Sequence, residues 1–220
     1  KKTFKNSHSY ADVAIVDPRY TYSLSENYTV STALDAICHC IESYLSPKST
    51  DISRSLAAYG GKKLWNALKV LRTDAEAVCA AAPDGVAATV RRELMAGALA
   101  GGMAINTTGT GFPHPLGYSL TLNSHIPHGR ACAVFLGEYV KKNSLCEVGK
   151  ARLSEFAKVL ETTPEEIAAI IPEMSGVALK LSPSERREYV DAVKGAANYQ
   201  NSPYVISYEE MNDIYDRLFM

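Results

Sequence analysis

The sequence predicts a mostly α, multihelical domain preceded by one strand, and three observations carry that prediction. After Tyr22 the apolar residues fall at helical spacing almost to the end of the chain. Three polar cap signatures mark helix starts in the last third: Thr163-Pro164-Glu165-Glu166, Ser182-Pro183-Ser184-Glu185 and Ser207-Tyr208-Glu209-Glu210. Only one short run, Val13-Ala14-Ile15-Val16, is β-branched and apolar in the manner of a buried strand.

Asp17-Pro18 closes that strand with a turn. A lone strand cannot satisfy its own backbone groups, and nothing later in the chain reads as its partner. Residues 1–20 are therefore expected to be the remnant of another domain whose sheet is made elsewhere, and residues 21–220 the helical domain. A first helix is expected over about 30–46, where Pro47 stops it, and a second over about 52–71 with Asp51 as N-cap. A third, rich in alanine, covers about 85–105. The stretch 107–129 is broken by Gly109, Gly111, Pro113, Pro115, Gly117 and Pro127, so it reads as loop around a short helix. One helix then runs to about Lys142 and another over about 147–160, before the three capped helices. No internal repeat or long linker interrupts this organisation.

The totals bound the function. The 220 residues are 46% hydrophobic and 21% charged, an ordinary globular mixture. A net charge of −1 supplies no field for nucleic acid or an anionic membrane. No apolar run approaches the roughly 20 residues that cross a bilayer. The five cysteines, Cys38, Cys40, Cys79, Cys132 and Cys146, include no C-x-x-C pair, and read as free, mostly buried thiols of a reducing cytoplasm.

Asp35 and His39 lie four apart, so a helix places a carboxylate and an imidazole on one face, one turn apart. Alone, such a pair is more often an exposed helix-face pair or a satisfied core histidine. His114, His125 and His128, three of the five histidines, lie in the most glycine- and proline-punctuated stretch, where the backbone can approach a ligand closely. One carboxylate with three imidazoles suits Zn²⁺ or Fe²⁺ rather than Ca²⁺ or Mg²⁺, which prefer oxygen shells.

The linked motifs Asp35-x-x-x-His39-x-x-Glu42, Gly111-x-x-His114-Pro115-Leu116-Gly117 and Pro127-His128-Gly129 resemble those of the iron-type (group III) alcohol dehydrogenases, in type, order and spacing. The opening Asp12-Val13-Ala14-Ile15-Val16-Asp17-Pro18 is also similar to that family's passage from its first domain into its second. The resemblance implies that Asp35, His39, His114 and His128 are the metal ligands, for Fe²⁺ or Zn²⁺. It implies the C-terminal half of a dehydroquinate-synthase-like architecture, with NAD or NADP bound by a separate N-terminal α/β nucleotide-binding domain. The implied activity is an oxidoreductase interconverting a small alcohol with an aldehyde or ketone, as a homo-oligomer, with this chain supplying the metal site and inactive by itself.

Many family members carry a further histidine four residues after the third ligand, where this chain has Tyr118. Tyr118 and His125 are thus the candidates for a proton relay, with packing or support of the metal loop as the alternative for each. Glu42 is expected to orient a ligand, Phe112 to line the substrate pocket, His8 to be a surface histidine, and Trp65 to pack between helices. Three rival readings remain: a sugar-phosphate cyclase, disfavoured because no basic phosphate-binding cluster accompanies the histidines; a glycerol-dehydrogenase-like enzyme; and a non-catalytic helical partner-binding domain.

Overall fold

Ser25 accepts a hydrogen bond from the Tyr28 N–H and opens the first helix, α1 (Glu26–Leu45). Leu34, Ile37, Cys38, Cys40, Ile41 and Leu45 are all fully buried, so α1 is apolar around most of its girth and runs through the interior. Helices α2 (Asp51–Val78), α3 (Gly85–Thr108), α5 (His128–Ala133), α7 (Glu147–Leu160) and α8 (Pro164–Ser175) pack around it. The remaining helices are α4 (Pro113–Asn123), α6 (Leu136–Asn143), α9 (Pro183–Val193) and α10 (Tyr208–Phe219). This computed structural model describes residues 10–79 and 85–220, and no strand occurs among them.

Most helix ends fall where cap chemistry places them. Thr163, Ser182 and Ser207 accept from the N–H groups of Glu166, Glu185 and Glu210. The last two pairs close into capping boxes. For α2 the cap is Thr50 rather than the expected Asp51. The Thr50 hydroxyl accepts from the Ser53 N–H at 3.2 Å, while Ser53 Oγ accepts from the Thr50 N–H at 2.9 Å. The expected end at Leu71 also moves, because α2 passes through a non-helical Asp74 (φ −151°, ψ 62°) and resumes to Val78.

The 107–129 stretch is loop around one short helix, as expected: α4 runs from Pro113 to Asn123, with Pro113 and Pro115 both in its first turn, where a missing N–H leaves no hydrogen bond unmade. Two expectations are corrected. The helix expected to run on to Lys142 breaks between Ala133 and Leu136 into α5 and α6. The 13–16 segment pairs with no strand, and its Val13 and Ile15 side chains are 80% and 89% exposed. A strand needs a neighbour to take its N–H and C=O groups, and none is offered among the described residues. His8 lies outside the described residues. All five cysteines are free, and no helix of the described residues is long and apolar enough to cross a membrane.

Two devices tie the α1–α3 layer together. Arg91, 1% exposed, donates to the Val78 carbonyl, the Thr29 hydroxyl and the Leu24 carbonyl, so its buried cation is solvated by the ends of two helices. Gly60 and Gly97 let α2 and α3 touch: a Cβ on Gly97 would sit 3.0 Å from the Gly60 carbonyl oxygen and collide with the Leu64 side chain. Trp65 is 2% exposed in the same packing, as expected. Gly102, on the same helix as Gly97, faces open space. Gly97→Ala is therefore expected to lower stability by about 1–3 kcal/mol through overpacking, whereas Gly102→Ala should be neutral or raise it by up to about 1 kcal/mol. Urea unfolding midpoints of the two variants measure the contrast.

Candidate metal centre

Asp35, His39 and Glu42 follow one another at helical spacing on α1 and form a polar stripe along one of its faces. His114 stands in the first turn of α4, and His128 is the first residue of α5, set by Pro127. Packing forces these helices together. A Cβ on Gly129 would overlap the carbonyl oxygen of Ser31 on α1, and one on Gly117 would lie 2.8 Å from the carbonyl oxygen of Ala131 on α5. Only glycine allows either approach.

The three imidazoles consequently converge on one atom. The Nε2 nitrogens of His114, His39 and His128 lie 3.4, 3.7 and 3.8 Å from Asp35 Oδ1. The His39 and His114 rings stack at 4.9 Å, and His128 stands edge-on to His114 at 5.5 Å. Asp35 Oδ1 and His114 Nε2 are buried and neither makes a hydrogen bond. Two ligands about 2.0–2.2 Å from a tetrahedral ion sit about 3.3–3.6 Å apart, so the observed spacing is that of donors around a common cation. Four electron-rich atoms at this spacing, two of them otherwise orphaned, fit a borderline divalent metal.

The far side of His114 is equally specific. Its Nδ1 lies 2.7 Å from Glu42 Oε2, with both side chains out of solvent. Burial pushes the Glu42 carboxyl up, opposed by the neighbouring His114 charge and the Gly111 N–H. Burial pushes His114 down, but the Glu42 carboxylate more than offsets it and the imidazole is raised well above its usual value. For Asp35, burial is outweighed by contact with His114 and by the charges of His39, His114 and His128, which hold the carboxyl at about 2. A proton on Nδ1 facing Glu42 leaves the Nε2 lone pair aimed at the centre, which is how a carboxylate orients a metal-binding imidazole.

A cavity of about 750 Å³ opens onto Asp35, His39 and His128. Tyr118 is part of its wall and stacks on the His128 ring at 5.8 Å; burial raises its hydroxyl. His125 lies in the turn before α5, exposed, with φ +55°, and is not part of that wall. Phe112 does not line it either: fully buried, it packs edge-on against Tyr139 in the core. Three features were not anticipated. Cys132 Sγ lies 3.7 Å from His128 Nε2, and a carboxylate oxygen of Asp35, ring nitrogens of His114 and His128 and this sulfur are all within 4.8 Å of one another. The four-residue step from His128 to Cys132 was the available signal. Asn198 and Asn201 roof the cavity from the 3₁₀ segment Ala197–Asn201, donating to the Thr110 hydroxyl and carbonyl at 2.7 and 3.0 Å. Gly109 (φ +69°) makes room for Asn201, a tertiary match with no local signature.

Residues 29–182 match the Fe-containing alcohol dehydrogenase family, C-terminal. The chain belongs to the iron-containing alcohol dehydrogenase family. All four converging residues and Cys132 fall within the matched span, whereas Asn198 and Asn201 lie beyond it. Among its relatives, alcohol dehydrogenase 4 of Saccharomyces cerevisiae is 34% identical over 145 residues, 66% of this chain and 35% of the yeast protein. The iron-containing alcohol dehydrogenase of Thermotoga maritima superposes with a TM-score of 0.75 at 28% identity, over 92% of this chain and 52% of that one. Sulfoacetaldehyde reductase of Bifidobacterium kashiwanohense, solved with NAD⁺, shares the fold with a TM-score of 0.78 at 24% identity, over 92% of this chain and 53% of that one. The chain thus spans about half the length of the solved relatives.

Glu42→Gln keeps the shape of the side chain but removes the charge that holds His114 Nδ1. Affinity for a divalent ion is expected to fall about 10–100-fold with the fold intact, as read by competition with a metallochromic indicator alongside circular dichroism.

Proposed function

We propose that this chain is the metal-holding half of a NAD(P)-linked oxidoreductase that interconverts a small alcohol with its aldehyde or ketone. Asp35, His39, His114 and His128 hold Fe²⁺ or Zn²⁺. The observation that carries this reading is the convergence of three imidazole nitrogens on Asp35 Oδ1 beside an open cavity. The family, the name of the yeast relative and the NAD⁺ of the Bifidobacterium structure support it.

Bound there, a divalent ion supplies Lewis-acid polarisation of the substrate oxygen. The residues of this chain do the remaining work. Glu42 fixes the tautomer and direction of His114. Asn198 and Asn201, braced by Thr110, orient the substrate from the cavity roof. Tyr118, half-buried in the wall against His128, carries the hydroxyl proton, and exposed His125 passes it on only outside the cavity. The hydride acceptor is NAD or NADP held by a nucleotide-binding domain, to which we assign residues 1–20. Val13 and Ile15, exposed here, are the side chains its sheet would cover. The whole enzyme is a homo-oligomer of the cytoplasm.

Asp35→Ala and His128→Ala should each cut bound metal at least about tenfold, as read by elemental analysis; unchanged content in both would refute the ligand assignment. The chain by itself should show no NAD(P)-linked alcohol oxidation, and joined to a nucleotide-binding domain of the family it should. In that joined enzyme Tyr118→Phe is expected to lower kcat about 10²–10⁴-fold, the range of a lost proton-transfer group, with metal content unchanged. An unaltered kcat would leave Tyr118 a packing residue.

A further inference from the structure

Cys132 is fully buried at the centre and is not part of the cavity wall. It lies one turn beyond His128 on the same face of α5, fully buried, with Sγ 3.8 and 3.7 Å from His128 Nδ1 and Nε2. Its place is fixed by backbone rather than by side-chain preference. A Cβ on Gly117 of α4 would lie 2.8 Å from the Ala131 carbonyl oxygen and 3.1 Å from the Cys132 nitrogen. Gly129 clamps the other side of α5 to Ser31 of α1. The backbone that carries the sulfur is thus held between two helices.

The atoms that face it are those in want of a cation. His114 is 2% exposed, and its Nε2 and Asp35 Oδ1 both lack a hydrogen-bond partner. With a ring nitrogen of His128 and Cys132 Sγ, these residues form a quartet of donors within 4.8 Å of one another, a quartet that does not include His39. Zinc-type ligation takes nitrogen and oxygen at about 2.0–2.2 Å and sulfur at about 2.3 Å. Tetrahedral partners are then about 3.4–3.7 Å apart, so closure asks the widest pair to draw in by about 1 Å. A sulfur donor suits ions that bind such N/O/S sites more tightly than Fe²⁺ does, Co²⁺ among them.

On the reading that the centre holds a divalent ion, we propose that it contains a second ligand set, Asp35, His114, His128 and Cys132, alternative to the set with His39, which takes a thiophilic ion such as Co²⁺ with His39 out of coordination. A bond forms from Sγ to the ion, the S–H bond breaks, and the proton passes to solvent, with no change of oxidation state. His39, 19% exposed on the cavity side, then faces the substrate space instead of the ion.

Anaerobic titration of the chain with Co²⁺ alone, followed by absorption, tests this. The wild type should develop visible d–d bands together with a near-ultraviolet thiolate-to-cobalt charge-transfer band, both saturating at one equivalent. Cys132→Ser should lose the charge-transfer band and keep the d–d bands. His39→Ala should keep both, and His128→Ala should lose both. Cobalt d–d bands without charge transfer in the wild type would overturn the sulfur assignment and leave the metal centre standing, as would charge transfer that survives Cys132→Ser. Absence of any cobalt bands would overturn both.

Discussion

Electron-rich atoms do not gather without a positive charge between them, and this fold gathers four. Three imidazole nitrogens come within 3.8 Å of a single carboxylate oxygen that is itself out of water. In a medium of low dielectric such a cluster is costly unless protons or a cation occupy its middle. Asp35 shows the pull directly: burial drives its carboxyl up, yet the surrounding imidazoles hold it at about 2. Glu42, on the far side of His114, supplies a second negative charge at depth. Two carboxylates, that of Glu42 fully buried, and three imidazoles are charge-balanced by a divalent ion among them.

Convergence of this kind is a property of backbone before it is one of side chains. Gly129 lets α5 rest on the carbonyl of Ser31, Gly117 lets α4 rest on Ala131, and Gly109 turns the chain back beneath Asn201. A methyl group at Gly117 or Gly129 would run into the backbone of the neighbouring helix and force the two apart. The interior position of α1 follows from the same demand. Its apolar girth anchors it among five other helices, so the stripe of Asp35, His39 and Glu42 is held by a helix with almost no freedom to tilt.

Much of this was legible in the sequence, for identifiable reasons. Asp35 and His39 could be paired because a four-residue step on a helix is a local rule, and Thr163, Ser182 and Ser207 declared their helices because capping is local too. The same four-residue rule joins His128 to Cys132, but it was obscured by the expectation of inert thiols. Phe112 was misplaced because its neighbours in sequence reach the centre, while its own side chain turns into the core against Tyr139. The short helix expected within 107–129 proves to be 113–123, which begins at its two prolines because a first turn has no use for their N–H groups. Asn198 and Asn201 could not be found at all, since their place above Thr110 depends on how the chain returns some ninety residues later.

The two sides of the centre differ, and the difference bears on whether its ion is inert or available. A purely structural metal is closed off on every side by protein ligands. Here the buried side is closed, with Glu42 and Cys132 fully covered. On the other side Asp35, His39 and His128 keep 27%, 19% and 28% of their side chains accessible, and a cavity of about 750 Å³ adjoins them. Tyr118, Asn198 and Asn201 give that cavity hydroxyl and amide groups in its wall. A helical domain that used metal only to hold itself together would gain nothing from leaving this face open, because the packing of α1 against α5 is already secured by glycine contacts rather than by the ion. The open face is therefore better explained by a second reactant than by stability, and that favours chemistry over scaffolding at this site.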